Sequence, residues 1–382
     1  MRSRRIRIFI TVCFDGYNGI RPIDRDRRKV AQFLTRNDRF SFFSISNPVK
    51  PIASSKNLAM DQLKFNKSIK DKANFVKNLI ISSLFAKFDI INTIKESYII
   101  ELYRALKNRN RKAKHIFSLL NDPIRDAIGE SAEQISIKAN WAGDPIFSKK
   151  MALTNYKTEK FLINNADIIT GNSNRIVCKV KEFYDRDCYY LPEGVDINYF
   201  NPQNRFKQLN DRKSLIVTYI GSFQIRKQPI LIKHLAEEFP QHRFYCFGKG
   251  AYREELQKLS QSFSNLKVFP PLSPNLIKKV YLISDIFFFP SVFEGMPKVL
   301  LEAGSSGLPV LASNETSHHE VVKENKTGYL FSDPDEMIEK FIKLEDPRRR
   351  KVMGQKFRQM IEERYAIDIT AKSFNKLLLK LI

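Results

Sequence analysis

Cysteine and glycine are both scarce in this chain of 382 residues, at four and fourteen. Cys13, Cys178, Cys188 and Cys246 make no C-x-x-C pair and no closely spaced group. That argues against a zinc ribbon or a disulfide scaffold, and reduced thiols in a cytoplasm fit best. Fourteen glycines and seventeen prolines exclude collagen-like and low-complexity chains. No repeat of roughly 20–50 residues is visible, which argues against solenoids and propellers. Long apolar runs are missing as well. The greasiest stretch, Phe75 to Ile91, is broken by Lys77, Lys87 and Asp89, so no bilayer span is expected. The opening MRSRRIRIFITVCF is basic and then apolar, but short, with Arg7 inside it and no small-residue cleavage site. It reads as a first strand and not as a signal peptide.

What is present is the material of globular cores: 43% hydrophobic, 12% aromatic and 28% charged residues. At about 150 residues per domain the length predicts two to three domains. Net charge is +24. Residues 1–200 hold 36 Lys+Arg and 21 Asp+Glu, or +15, and the remainder holds 29 and 20, or +9. The excess gathers at Arg2, Arg4, Arg5, Arg7 and Arg21 to Lys29, and again at Arg104, Lys107, Arg109, Arg111, Lys112 and Lys114. Such a surface attracts polyanions. An anionic membrane surface is the expected partner, with a merely solvated basic face as the rival. No helix-turn-helix, RRM, KH or zinc-finger pattern accompanies the charge, so nucleic acid is not expected.

Short β-branched or aromatic runs alternate with amphipathic stretches. IRIFITVCF, FSFFSIS, KFDIINTI, HIFSLLN and ADIITGN read as strands, while DRRKVAQFLTRN, IIELYRALKNRN and RIVCKVKEFY read as helices. Asn201 to Lys213, NPQNRFKQLNDRK, is polar and without periodicity, and marks a boundary. After it the pattern restarts at SLIVTYIGSF and runs through HRFYCFGKG, NLKVFP, DIFFFPS, PVLAS and TGYLF, each followed by a helical stretch. Strand–helix alternation implies parallel sheets. The predicted architecture is α/β: residues 1–200, residues 201–365, and a C-terminal helix over 366–382 packing back on the first domain. Two such units in succession place a ligand cleft between them, at the carboxyl ends of strands.

The sharpest chemistry lies in DIFFFPSVFEGMPKVLLEAGSSGLPVLAS, Asp285 to Ser313. A buried strand ends at Pro290, a loop carries Glu294 and Gly295, and Pro297 suits the first turn of a helix. Free amides at Gly295 to Lys298 would make an anion site there. Glu302 lies inside the helix, and Gly304 and Gly307 are expected to end it. Two carboxylates beside an anion-binding helix start fit a ligand with hydroxyls on both sides of its phosphates. A sugar nucleotide has that layout.

These residues resemble the retaining glycosyltransferases of family 4, the glycosyl transferases group 1, which have the GT-B fold of two Rossmann-like domains facing each other across a cleft. The resemblance rests on several segments: Glu294-GMPKVLL-Glu302 with its flanks, E-V-V at Glu320 to Val322, T-G-Y-L-F at Thr327 to Phe331, YIGSFQIRK ending at Lys227, FGKGAYREEL, and LPEGVDINYFNP from Leu191 to Pro202. It runs from about Ala166 to Lys343. It implies a nucleotide-diphosphate sugar as donor and a glycan or lipid-linked acceptor, with no metal or other cofactor required. Glu302 would hold the ribose and Glu294 the donor sugar, with Gly295, Met296 and Pro297 beside it. Lys227, with Arg226 next to it, would hold the diphosphate and stabilise the charge that builds on the departing phosphate. Gly221, Ser222 and Gly248 would line the donor site. On the acceptor side the corresponding positions are Gly16 and Gly19, and Asn121 and Asp122. The pattern departs from the family at three places: Ser222 where an arginine is common, two separated glycines where a pair is usual, and Asn121 where members carry histidine. The implied setting is cell-surface polysaccharide or lipopolysaccharide synthesis, in the cytoplasm at the inner face of the membrane.

Other readings compete. His318, His319 and Glu320 suggest a metal, but adjacent histidines on a helix point about 100° apart and no third ligand is suitably spaced, so solvent-facing rings at a helix start are expected. The Asp-x-Asp triplets Asp24/Asp26, Asp185/Asp187 and Asp333/Asp335 read as loops or caps. Gly248-Lys249-Gly250 opens a dinucleotide fingerprint whose third glycine is replaced by Arg253. Trp141 reads as packing. Another sugar-nucleotide enzyme of this fold, an epimerase or phosphorylase, and a catalytically weak polyanion-binding protein remain as alternatives.

Overall fold

The computed structural model describes residues 6–10, 30, 34, 40–43, 87–94, 99–120, 149–202, 214–292, 294–315 and 317–382. They form two compact units. One holds the described residues up to Leu120, with Lys150–Glu193 and Ile367–Ile382; the other holds Lys149 and the described residues of Gly194–Ala366. The chain passes from one unit to the other at Glu193–Gly194, ahead of the polar stretch that begins at Asn201, and again at Ala366–Ile367.

In the first unit, β1 (Ile6–Ile10), β2 (Phe40–Phe43), β3 (Ile90–Ile94), β4 (Lys114–Leu119), β5 (Ile168–Gly171) and β6 (Tyr189–Tyr190) make one sheet in the order β2-β1-β3-β4-β5-β6. Every pairing is parallel. The helices α1 (Ile99–Arg109), α2 (Lys149–Asn165) and α3 (Asn174–Tyr184) lie between strands in sequence. Helix α2 was not foreseen: KKMALTNYKTEKFLINN has a weak apolar stripe and no acidic first turn to announce its start.

The second unit repeats the plan more regularly. Its strands are β7 (Ile216–Ile220), β8 (Arg243–Phe247), β9 (Leu266–Phe269), β10 (Ile286–Phe289), β11 (Val310–Ser313) and β12 (Gly328–Phe331). Their order is β12-β11-β10-β7-β8-β9, again all parallel. Counted from β7, this is the Rossmann order 3-2-1-4-5-6, and the strand order reverses between β7 and β10. Helices α4 (Ile232–Glu238), α5 (Arg253–Ser262), α6 (Pro274–Ile283), α7 (Lys298–Ser305), α8 (His318–Val321), α9 (Pro334–Leu344) and α10 (Pro347–Arg364) complete it.

The sheet of the second unit is buried on both faces. Phe287 and Phe289 of β10 join Tyr281 of α6, Leu300 of α7 and Phe357 of α10. Ile286 and Phe288 join Leu235 of α4, Leu256 of α5 and Phe341 of α9. The residues of β10 point alternately to the two faces, and a run of four apolar side chains serves both cores. Each such buried side chain stabilises by about 1.5–3 kcal/mol relative to exposure. The last helix, α11 (Ile367–Leu379), belongs to the first unit: Ala371, Phe374, Leu377 and Leu378 pack with Ile8, Ile90, Ile116 and Ile168. Val30 and Leu34, helical and four apart, enter the same cluster.

Two triplets of aspartates prove to be caps. Asp333 accepts from the Glu336 amide at the start of α9 (2.8 Å), and Asp185 closes α3 with φ 48°. Asp24 and Asp26 lie outside the described residues. Among the described residues no helix is long and apolar enough to cross a membrane.

Candidate active site

The two strands that flank the reversal in the second sheet deliver its charged side chains. Strand β7 ends at Ile220 and leads through Gly221 to a single 3-10 turn, Ile225–Lys227. Strand β10 ends at Phe289, and Pro290 stops it before the loop that carries Ser291 and Glu294. The carboxyl ends of such strands are where open parallel sheets bind ligands. The Lys227 ammonium and the Glu294 carboxylate form an ion pair at Oε1, and the Arg226 guanidinium stands 3.4 Å from the same oxygen. All three side chains are nearly buried, at 14%, 15% and 12% exposure for Lys227, Arg226 and Glu294. The Lys227 ammonium also lies over the Phe289 ring, 5.5 Å from its centre. Burial pushes the Glu294 carboxyl up, but the Lys227 and Arg226 charges and the hydrogen bonds from Lys227 and Ser291 outweigh it, and the group is held below its ordinary range. Burial pushes the Lys227 ammonium down, with Glu294 opposing the shift.

The loops after β7 and β8 are fastened together at short range. The Gly221 amide donates to the Phe247 carbonyl (3.1 Å), and the Phe223 amide to that of Lys249 (2.8 Å). A Cβ at Gly248 would lie 1.9 Å from the Gly221 carbonyl oxygen. Gly250 has φ 147° and sits against the Phe223 backbone, a conformation that favours glycine. The Ser222 carbonyl accepts from the Tyr219 hydroxyl (2.7 Å), and the Ser222 hydroxyl donates to Gln224 (3.2 Å). Thus Gly221, Ser222 and Gly248 lie where the two loops are packed tightly together, just ahead of the turn that carries Arg226 and Lys227.

Glu302 lies on the same segment as Glu294, inside α7, and is buried. The Tyr281 hydroxyl donates to its Oε2 (3.3 Å). Pro297 stands one place earlier than expected, as the N-cap before Lys298, and its carbonyl accepts the Leu300 amide (3.0 Å). No described side chain caps this helix start. The Met296 side chain belongs to the hydrophobic core. Gly304 does not end the helix as expected. It lies within α7, and a Cβ there would meet the Phe357 ring at 2.7 Å. The stop comes from Gly307, at φ 72°: its amide donates to Gly304 (2.9 Å) and that of Leu308 to Ala303 (3.0 Å), the paired bonds of a Schellman end.

Three residues behind Glu294 were missed. The Ser291 hydroxyl donates to Glu294 Oε1 (2.7 Å), the Ser313 hydroxyl donates to the Ser291 carbonyl, and His318 Nδ1 donates to the Ser313 carbonyl (2.9 Å). The Ser291-x-x-Glu294 spacing was the available signal, since a hydroxyl three residues before a carboxylate at a turn is within its reach. His318 corrects the expectation of a solvent-facing ring: it is fully buried, and burial pushes it down to about 4, while His319 is exposed. Among the described residues no group of His, Cys, Asp and Glu could hold a metal ion. Gly16, Gly19, Asn121, Asp122 and Trp141 lie outside the described residues.

Comparison with known proteins adds an independent line. Residues 200–360 match the family described as glycosyl transferases group 1. The sulfoquinovosyl transferase SQD2 of Arabidopsis thaliana is 31% identical over 185 residues, 45% of this chain and 36% of that protein, so the match spans about a third of the plant relative. The UDP-Gal:alpha-D-GlcNAc-diphosphoundecaprenol alpha-1,3-galactosyltransferase of Escherichia coli is 26% identical over 322 residues, 75% of this chain and 79% of that one. Among solved structures, HepE of Anabaena in complex with UDP-glucose superposes with a TM-score of 0.71 at 15% identity, covering 98% of this chain and 100% of that one.

Proposed function

From the premise that this is a GT-B chain whose residues 200–360 belong to the glycosyl transferases group 1 family, we propose that it moves a hexose-type sugar from a nucleotide diphosphate to a glycan or lipid-linked acceptor, with retention at the anomeric carbon. The observation that carries the reading is the meeting of Lys227 and Arg226, from the end of β7, with Glu294, from the end of β10. Two adjacent cations suit a diphosphate. They stabilise the negative charge that grows on the leaving phosphate, in a site already ordered before the reaction. Glu294 takes a hydroxyl of the transferred sugar and Glu302 the ribose diol, each as a hydrogen-bond acceptor. Glu294, the carboxylate nearest the reacting centre in this reading, is already engaged by three donors. This favours attack from the leaving-group face, with the departing phosphate taking the acceptor's proton.

Lipid-linked acceptors are supported by the name of the Escherichia coli relative, and an anionic membrane surface by the charge of +24. That combination fits peripheral attachment at the inner face of the cytoplasmic membrane and a place in surface-polysaccharide assembly.

The test is transfer and donor hydrolysis across a panel of sugar nucleotides, with the anomeric configuration of the product read by NMR, for the wild type, Lys227→Ala and Glu302→Ala. The reading expects a retained anomer and losses of at least tenfold in both variants. Near-wild-type transfer by both would reject the site.

A further inference from the structure

Glu294 has three donors on one oxygen. Lys227, Arg226 and Ser291 all reach Oε1, and Oε2 makes no hydrogen bond to a described residue. Oε2 is the oxygen left for a substrate hydroxyl, so its direction depends on what holds Oε1. Two of the three holders are the cations assigned above to the diphosphate, and the inference rests on that proposed function. When a diphosphate arrives, Lys227 and Arg226 gain a stronger anionic partner. Only Ser291 then remains on Glu294.

Ser291 is built to stay. It follows Pro290, whose ring fixes φ, at the end of a central strand. It is fully buried. Its carbonyl accepts the Ser313 hydroxyl, from the last residue of β11. Ser313 is in turn held by His318 Nδ1 on its own carbonyl (2.9 Å), and the His318 ring packs 5.0 Å from that of Phe289. The Val292 amide next to Ser291 donates to the Arg226 carbonyl (2.9 Å). The cations, by contrast, sit on a three-residue turn closed by Gln228 at φ 42°. A hydroxyl has one proton. At 2.7 Å to the carboxylate, against 3.3 Å to the Arg226 carbonyl, that proton goes to Glu294.

We propose that Ser291 is a positioning residue: backed by Ser313 and His318, its hydroxyl keeps the Glu294 carboxylate aimed at the donor sugar while Lys227 and Arg226 turn to the diphosphate. Glu294 Oε1 holds the two cations. The bound protein releases them without losing the carboxylate's orientation.

The experiment compares full-length wild type, Ser291→Ala and Ser291→Thr in transfer kinetics with the best donor of the panel, in nucleoside diphosphate affinity by calorimetry, and in melting temperature. Ser291→Ala is expected to lower kcat about 10- to 100-fold, the size of one hydrogen bond to a charged group. Its nucleoside diphosphate affinity should stay within about twofold. Its acid limb in the kcat profile should move to higher pH, because the hydroxyl helps to hold the carboxyl down. Ser291→Thr, which keeps the hydroxyl, should restore kcat and the acid limb. Should Ser291→Ala lose its cooperative melting, Ser291→Cys, close in size and a weak donor, is read in the same way. Wild-type kcat and acid limb in Ser291→Ala, or equal defects in Ser291→Ala and Ser291→Thr, would overturn the inference alone. Absence of turnover by the wild type with every donor would overturn the transferase reading and this inference with it.

Discussion

Replacing Lys227 by Met keeps the length of the side chain and removes its charge, which makes the Lys227–Glu294 pair measurable. Both side chains are close to seven-eighths buried. At an effective dielectric constant near 20, opposite charges about 4 Å apart attract by about 4 kcal/mol, and desolvation offsets much of it. A net coupling of about 1–3 kcal/mol remains. Lys227→Met leaves Glu294 with Arg226 at 3.4 Å and Ser291 at 2.7 Å, so its loss should be modest, about 2 kcal/mol. Glu294→Gln leaves two cations facing each other and should cost about 3 kcal/mol. The double variant should fall about 2 kcal/mol short of their sum. The assay is urea denaturation at pH 7, read on the transition of the second unit, with melting temperature as a check at about 2–4 °C per kcal/mol. Added salt should change the coupling little, because the pair is screened from solvent. The sign with pH follows from the lowered Glu294 group: its stabilisation is full above the unfolded carboxyl value of about 4.3 and is lost as pH falls through the folded value. Losses that add to within about 0.5 kcal/mol would refute the pairing.

Gly248→Ala would drive a Cβ to 1.9 Å from the Gly221 carbonyl and 2.8 Å from the Phe223 ring, so the two loops must part. It should cost about 3 kcal/mol and weaken nucleoside diphosphate binding, as read by denaturation and calorimetry; a variant that matches wild type in both would contradict the packing. His115 and His318 are each pushed down to about 4, mainly by burial. Between pH 6.5 and 4 the unfolded chain takes up more protons than the folded one, so stability falls as pH falls, by at most about 3 kcal/mol for each ring. His115→Gln should flatten the slope of melting temperature against pH in that window, and an unchanged slope would reject the burial argument.

The strands of the second unit were legible because parallel sheets demand short apolar runs, and Ile286 to Phe289 or Val310 to Leu311 cannot sit anywhere but inside. Glu294 stood out in the sequence as a carboxylate in a loop between a buried strand and a helix start, whereas Lys227 was singled out only through the family resemblance. What holds them was not. Ser291, Ser313 and His318 act across strands β10 and β11, and a partner 22 residues away leaves no periodic trace. Gly304 was misread because a helix-ending glycine and a glycine that admits a neighbouring ring look alike in one dimension; only Phe357 separates them. Helix α2 was missed for a similar reason, its contacts being set by the fold and not by a strong stripe of its own.

The proposed transferase depends on the two cations of the β7 turn meeting a diphosphate. Calorimetric titration of nucleoside diphosphates into the wild type and Lys227→Ala tests it most directly. The account predicts binding by the wild type, weakened at least tenfold in the variant. Equal dissociation constants for the two proteins would contradict it.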